Sequence, residues 1–239
     1  MNIQTQKELQ NIVKRNYEEV AEHYSETRKK VLWPELLSLT EELKPGDRVL
    51  DVGCGSGKLL QAFSDKEIEY LGIEPGEKLI EYARKEWGEN EKRKFSIGDI
   101  LDLGKVSEYE FDYVFCIAVL QHIPSRKLRI QALRQLKNKV KPEGKIIISN
   151  WNMWSPAFSK KKFRWLVFKF LLLKFIGKNK MDFGDILFDW KNPQGHSVSK
   201  RYYHAFYAFE LRRISKKAGL KVEKLFKDKH NYYLVLRKK

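Results

Sequence analysis

The chain reads as an α/β protein, built on an open, mostly parallel sheet with helices on both faces. Three observations predict it. Five short strand-like segments alternate with helical stretches over residues 45–150. A turn with glycine at every second position follows the first of them. Acidic residues close the first, second and third, which is where ligands bind in open sheets of this class.

Residues 6–24 read as an N-terminal helix, and 34–43 as a second that starts at Pro34, a residue suited to a first helical turn. Val49 to Gly57 is a strand running into the glycine turn, and Lys58 to Phe63 opens a helix. Tyr70 to Pro75 is a second strand, ending in Glu74. Phe95 to Ile100 is a third, ending at Asp99. Phe111 to Ile117 is a buried fourth, and Pro142 to Ser149 a fifth. After a basic segment, Ala208 to Leu220 reads as a helix stopped by Gly219. Two further strands follow, at 221–226 and 231–236.

Gly53, Gly55 and Gly57 let backbone approach a ligand without a Cβ in the way. Their spacing is G-x-G-x-G, not the G-x-G-x-x-G of dinucleotide enzymes. A lone glycine loop is a weak signal. Glu74 follows Asp51 by 23 residues, and an acid there accepts hydrogen bonds from ribose hydroxyls in a βαβ unit. Singly, Glu74 reads as a strand end and Asp99 as a turn residue. In order and together, they point to a nucleoside-bearing cofactor.

This series, over residues 45–150, resembles the class I S-adenosylmethionine-dependent methyltransferases. The resemblance implies a Rossmann-like, seven-stranded sheet completed by the last strand pair. It implies S-adenosylmethionine held by Asp51, Gly53, Cys54, Gly55 and Gly57 around the methionine part, by Glu74 and Pro75 at the ribose, and by Asp99 and Ile100 at the adenine, with Ile117 and Ala118 beside them. Four further blocks, at 17–34, 119–136, 184–190 and 201–206, are similar to the tRNA wobble-uridine carboxymethyl methyltransferases. That family esterifies 5-carboxymethyluridine in the anticodon loop, and its members often work with a small zinc-binding activator subunit. The chain departs at Gln121, where a second histidine is usual, and in a longer, more basic segment at 155–180.

The chemistry then asks little of acid–base catalysis. A carboxylate is already ionised at neutral pH. It needs alignment, exclusion of water and a cation to orient it. Arg28 and Arg201 are the candidates, because a guanidinium grips a carboxylate bidentately. Tyr24, Tyr202 and His204 are expected to line the substrate opening and stack on a base. His122 follows the fourth strand, near the methyl group in this fold. Lys160, Lys161, Lys162 and Arg164 are expected to meet RNA. Two other readings stay open: a methyltransferase for a small carboxylate or phenol, and a non-catalytic, basic nucleic-acid-binding protein.

A chain of 239 residues suits one domain: a helical cap at 1–44, a cofactor core at 45–150, a basic aromatic lid at 151–200, and a helix and strand pair at 201–239. The net charge is +16, unevenly spread. Residues 1–150 hold 25 Lys/Arg and 25 Asp/Glu, whereas 151–239 hold 22 and 6. Such asymmetry suits a polyanion such as tRNA. Cys54 and Cys116 fit a reducing cytosol better than a disulfide scaffold, and no metal-ligand pattern, signal peptide or transmembrane run is visible, so a cytoplasmic location is expected. Uncharged runs within 159–176 are too short to span a bilayer. Arg164, Lys169 and Lys174 spread around that helix, which argues against a clean interfacial membrane helix. The order of preference is a lid packed on the core, then an RNA-contacting arm, then a membrane-surface segment.

Overall fold

The computed structural model describes residues 1–27, 32–107, 110–156, 161–191 and 197–239, without the side chains of 20–27, 161–162, 190–191 and 197–198. Strands β1 (Arg48–Val52), β2 (Glu69–Glu74), β3 (Arg93–Ile97), β4 (Phe111–Ile117) and β5 (Val140–Trp151) run parallel. β8 (Leu220–Lys227) and β9 (Asn231–Lys238) join antiparallel, giving the order β3-β2-β1-β4-β5-β9-β8. The chain winds outward from β1 to β3, then restarts at β4 on the other side of β1. The strand ends of β1 and β4 therefore diverge and leave a crevice at their carboxyl edge.

Side-chain alternation builds a layer on each face. Leu50, Val52, Val114, Cys116, Ile146 and Ile148 pack with Ala132 and Leu133 of α4 (Arg126–Lys139) and with Leu211 and Ile214 of α6 (Ala208–Lys217). Val49, Phe115 and Ile147 face the other way. They pack with Phe63 and with Ile80 and Ala83 of α3 (Glu77–Trp87). Gly219 adopts φ +77° just beyond α6 and ends that helix as expected.

Three local expectations change. Lys58–Phe63 is a short 3-10 helix with no side-chain cap, entered from Gly57 in the left-handed region. The second helix, α2, spans only Pro34–Ser38. The Ser38 and Thr40 hydroxyls donate to the Glu35 and Leu37 carbonyls, an alternative that competes with helix continuation. The N-terminal helix, α1, is longer than expected, Ile3–Thr27.

The larger difference lies between β5 and α6. Helix α5 (Lys161–Phe175) covers an antiparallel hairpin of β6 (Asp185–Lys191) and β7 (Ser197–His204), a second sheet. Phe163, Leu166, Val167 and Phe170 pack with Ile186, Phe188, Tyr203 and Met153. No strand was expected here, although Ile186, Phe188 and Trp190 alternate as a half-buried strand does. The boundary drawn at residue 200 falls inside β7.

Candidate functional site

A cavity of about 430 Å³ opens at the carboxyl edge of the sheet. Gly53 and Gly55 from the turn after β1 form one wall, with Glu74, Pro75 and Gly76 from the end of β2. Gly98, Asp99 and Ile100 follow β3, and Ile117, Ala118 and His122 follow β4. Helix α1 closes the cavity with Lys7, Gln10, Val13, Lys14 and Tyr17. A smaller adjoining recess is bordered by Asp51, Cys54, Ser56, Lys58 and Trp33. Each wall comes from a connection that leaves a strand end, so the parallel sheet gathers residues from distant parts of the sequence.

Close packing sets the backbone. Gly53 has φ +77°, and a Cβ there would sit 2.3 Å from Val119 Cγ2. Ala118 takes φ +58°, rare for a residue with a Cβ. Its N–H is held by the Ser149 carbonyl at 3.0 Å and the Ser149 hydroxyl at 3.1 Å. At Gly57, which does not line the cavity, a Cβ would lie 2.9 Å from the Trp87 ring.

The two strand-end acids are buried. Glu74 accepts from the Gly55 and Gly76 N–H groups, each at 3.1 Å. Burial raises its pKa to about 7 against the pull of those two donors, and the Asp99 charge adds to the rise. Asp51 accepts from the Tyr70 hydroxyl at 2.9 Å. Burial lifts it to about 7 too, with Tyr70 opposing and Glu74 reinforcing. Burial also pushes the Cys54 and Cys116 thiols up, so both stay protonated at neutral pH. Asp99 is exposed and accepts from the Leu101 N–H at 2.8 Å.

At the inner end of the cavity the Tyr17 hydroxyl and His122 Nε2 lie 2.9 Å apart. The His122 ring sits 4.6 Å from that of Tyr203, on which Trp151 stacks at 4.8 Å. Arg201 donates to the Tyr203 hydroxyl at 3.4 Å. Val13, Asn16, Tyr17, His122, Arg201, Tyr202 and Tyr203 border a small void beside the cavity, too tight to admit a water molecule. The structure thus brings Arg201 and His122 together, 79 residues apart in sequence.

Two expectations are corrected. His204 is buried, its Nδ1 2.6 Å from Asp185 and its Nε2 2.9 Å from Glu210. It belongs to a charge cluster around the fully buried Arg129, which lies near Asp182, Asp185 and Glu210. Tyr202 is buried with Leu9 and Met181. Neither ring is available to stack on a base, because packing at the foot of the hairpin occupies both. Arg28 and Lys160 lie outside the described residues, as do the side chains of Tyr24, Lys161 and Lys162. Arg164 is exposed on α5.

Tyr17 and Arg129 were missed. Leu9, Val13 and Tyr17 recur at four-residue spacing and so share one face of α1, but that pattern does not say what the face covers. Nothing local distinguishes Arg129 from the other bases of α4.

A methyltransferase-domain family model matches residues 24–225. A tRNA (carboxymethyluridine(34)-5-O)-methyltransferase of Saccharomyces cerevisiae is 34% identical over 142 residues, 59% of this chain and 48% of that protein. A macaque (Macaca fascicularis) protein of the same description, ALKBH8, is 31% identical over 159 residues, 66% of this chain and 22% of that one. The chain therefore spans about half, or less, of the length of these relatives. Among solved structures, a Haloferax volcanii complex of the Trm112 methyltransferase activator with a methyltransferase superposes with TM-score 0.63 at 15% identity, covering 94% of this chain and 96% of that one. At that identity the likeness speaks for the fold.

Proposed function

The chain belongs to the methyltransferase-domain family, and from that premise we propose that it is an S-adenosylmethionine-dependent enzyme that methyl-esterifies 5-carboxymethyluridine at the tRNA wobble position. The observation that carries this reading is one cavity lined jointly by the glycine turn, Glu74, Asp99 and His122. Its volume suits a cofactor of nucleoside size. Carboxylate oxygens at Glu74 and Asp99 are acceptors for hydroxyls and an exocyclic amine, and Leu79, Ile100 and Ile123 offer apolar walls. These residues would hold the cofactor, which when bound supplies an electrophilic methyl group on a sulfonium.

The residues of the chain have the remaining work. Arg201 is the proposed cation for the substrate carboxylate, since it and His122 border the same small void next to the cavity, which would have to open for the carboxylate to reach it. Tyr17 holds the His122 ring, and α1 keeps water from the nucleophile. The wobble-uridine relatives support tRNA as the substrate. So does the outer side of the α4–α6 layer. Lys127, Arg134, Lys137, Arg212, Arg213, Lys216 and Lys217 all lie on these helices, whose one acid, Glu210, is turned inward to His204. A face of one sign suits a phosphate backbone. A small activator subunit of the kind named in the Haloferax complex is the proposed partner, and the cytoplasm is the proposed compartment.

The test is incubation of the purified chain, with and without such an activator, with labelled S-adenosylmethionine and tRNA lacking wobble methyl esters. Nucleoside digestion is expected to show label in 5-methoxycarbonylmethyluridine, lost in Arg201→Ala. Label appearing only on small carboxylic acids would overturn the tRNA reading.

A further inference from the structure

Helix α5 is apolar on two opposite sides. Phe163, Leu166, Val167 and Phe170 pack inward on the hairpin. On the outer side Trp165, Phe168, Leu172 and Phe175, with Ile176 and Phe183 beyond the helix end, are 49% to 73% exposed. At about 100° per residue the four helical positions fall within roughly 80° of one another. Arg164 and Lys169 flank that stripe, one on each edge, and both are exposed. Lys169 also lies 5.6 Å over the Trp165 ring. Lys174 lies off the stripe on the helical wheel; its ammonium donates to the Met181 carbonyl and lies 5.2 Å over the Phe183 ring, at the end of the stripe. Lys178 and Lys180 add exposed charge at the far end, and residues 161–181 contain no acid.

Large apolar side chains left exposed together on one side of a helix and rimmed by charge mark an interaction surface. We propose that the outer side of α5 docks on an anionic lipid bilayer, lying in the interface plane with Trp165, Phe168, Leu172 and Phe175 inserted among the acyl chains. Three features favour this occupant. The stripe is straight and lies on one side, as a plane requires. The charged side chains within residues 161–181 are all cationic, which complements acidic headgroups. Leu172 and Ile176 stand at its centre and end, and aliphatic groups gain in lipid but do not stack on bases. Among the described residues no helix is long and apolar enough to cross a membrane, so attachment is from one side. The proposal is independent of the tRNA reading.

The experiment is flotation of the full chain with phosphatidylcholine vesicles, with and without phosphatidylglycerol. Binding is expected with the anionic vesicles and little with the neutral ones. The double variant Phe168→Ser/Leu172→Ser should weaken it by roughly tenfold or more. Lys169→Glu should weaken it on anionic vesicles alone. Retained S-adenosylmethionine binding and an unchanged unfolding curve show that the variants are folded. No flotation with either vesicle overturns the proposal, as does equal flotation of the double variant. So does a double variant that abolishes self-association in light scattering, or tRNA retention on filters, while the parent ignores vesicles. Those results would assign the stripe to a second copy or to RNA.

Discussion

At the open edge of the sheet, Asp51 and Glu74 are buried and their pKa values stand at about 7. At the foot of the hairpin, burial works on Asp182 and Glu210 in the same direction, yet both lie below the usual carboxylate range. The Arg126 N–H and the Arg129 charge outweigh burial at Asp182, and His204 and Arg129 do so at Glu210. What separates the two regions is partners. The hairpin acids have cations beside them. Among the described residues the strand-end acids are held by neutral donors, Tyr70 and the Gly55 and Gly76 amides. A fold that leaves acids short of cations carries an ionisation penalty, and here those acids stand beside a cavity.

The difference teaches that one protein can hold two opposite pH responses. A carboxyl with a raised folded pKa binds protons more tightly when folded. Its contribution to stability therefore falls as pH rises from the ordinary value near 4 to about 7. A carboxyl with a lowered folded pKa contributes above the ordinary value, and that contribution is lost as pH falls through the folded value.

The comparison can be broken hardest at Arg129. Replacing it with alanine leaves Asp185 and Glu210 without its charge and removes the guanidinium over the Phe206 ring. A loss of about 3–5 kcal/mol is expected in urea unfolding. A loss under about 1 kcal/mol would mean that packing, not charge, anchors the hairpin.

The pH response is next. The cofactor-free protein should lose stability between about pH 4 and 7, and Glu74→Gln should remove part of that fall, at most about 3 kcal/mol. Asp182→Asn should leave this limb alone and flatten the acid side below it. Unfolding curves across pH decide, and identical profiles for the two variants would erase the distinction between the regions.

Gly53→Ala forces a Cβ against Val119 at φ +77°. It should cost about 2 kcal/mol and weaken cofactor binding in calorimetry. An alanine variant of normal stability and affinity would show that the turn has room to relax. Tyr17→Phe is expected to be the mildest. It removes one hydroxyl at His122, changes stability by under about 1 kcal/mol, and slows methyl transfer by roughly three- to tenfold. An unchanged rate would make the Tyr17–His122 contact structural.

Much of the sheet was legible because its signals are local. Gly53, Gly55, Glu74, Asp99 and Ala118 end or closely follow strands, and a parallel sheet puts all such ends on one edge. The hairpin was harder. The alternation of Ile186, Phe188 and Trp190 spans few residues, and its strand pairing is settled by α5 packing over it. His204 shows the limit best. A histidine in an Arg-Tyr-Tyr-His block looks like a site residue, but it is sealed between Asp185 and Glu210 from two other elements. The outer stripe of α5 was obscured for a related reason. Taken together, Arg164, Lys169 and Lys174 spread around the wheel, whereas in the structure the Lys174 ammonium is engaged by the Met181 carbonyl and Arg164 and Lys169 edge the stripe.

By itself the sequence determined the alternation of strands and helices, the glycine turn, the strand-end acids and the charge excess after the fifth strand, because each follows from neighbours in the chain and from simple periodicity. Only the tertiary structure decided which polar side chains face the cavity and which are consumed in the interior. It set Tyr17 and Arg201 beside His122, buried Arg129 among acids, and left one side of α5 uncovered. Those outcomes depend on contacts between elements distant in sequence, and in a close-packed interior the neighbours across the fold determine what a polar group meets.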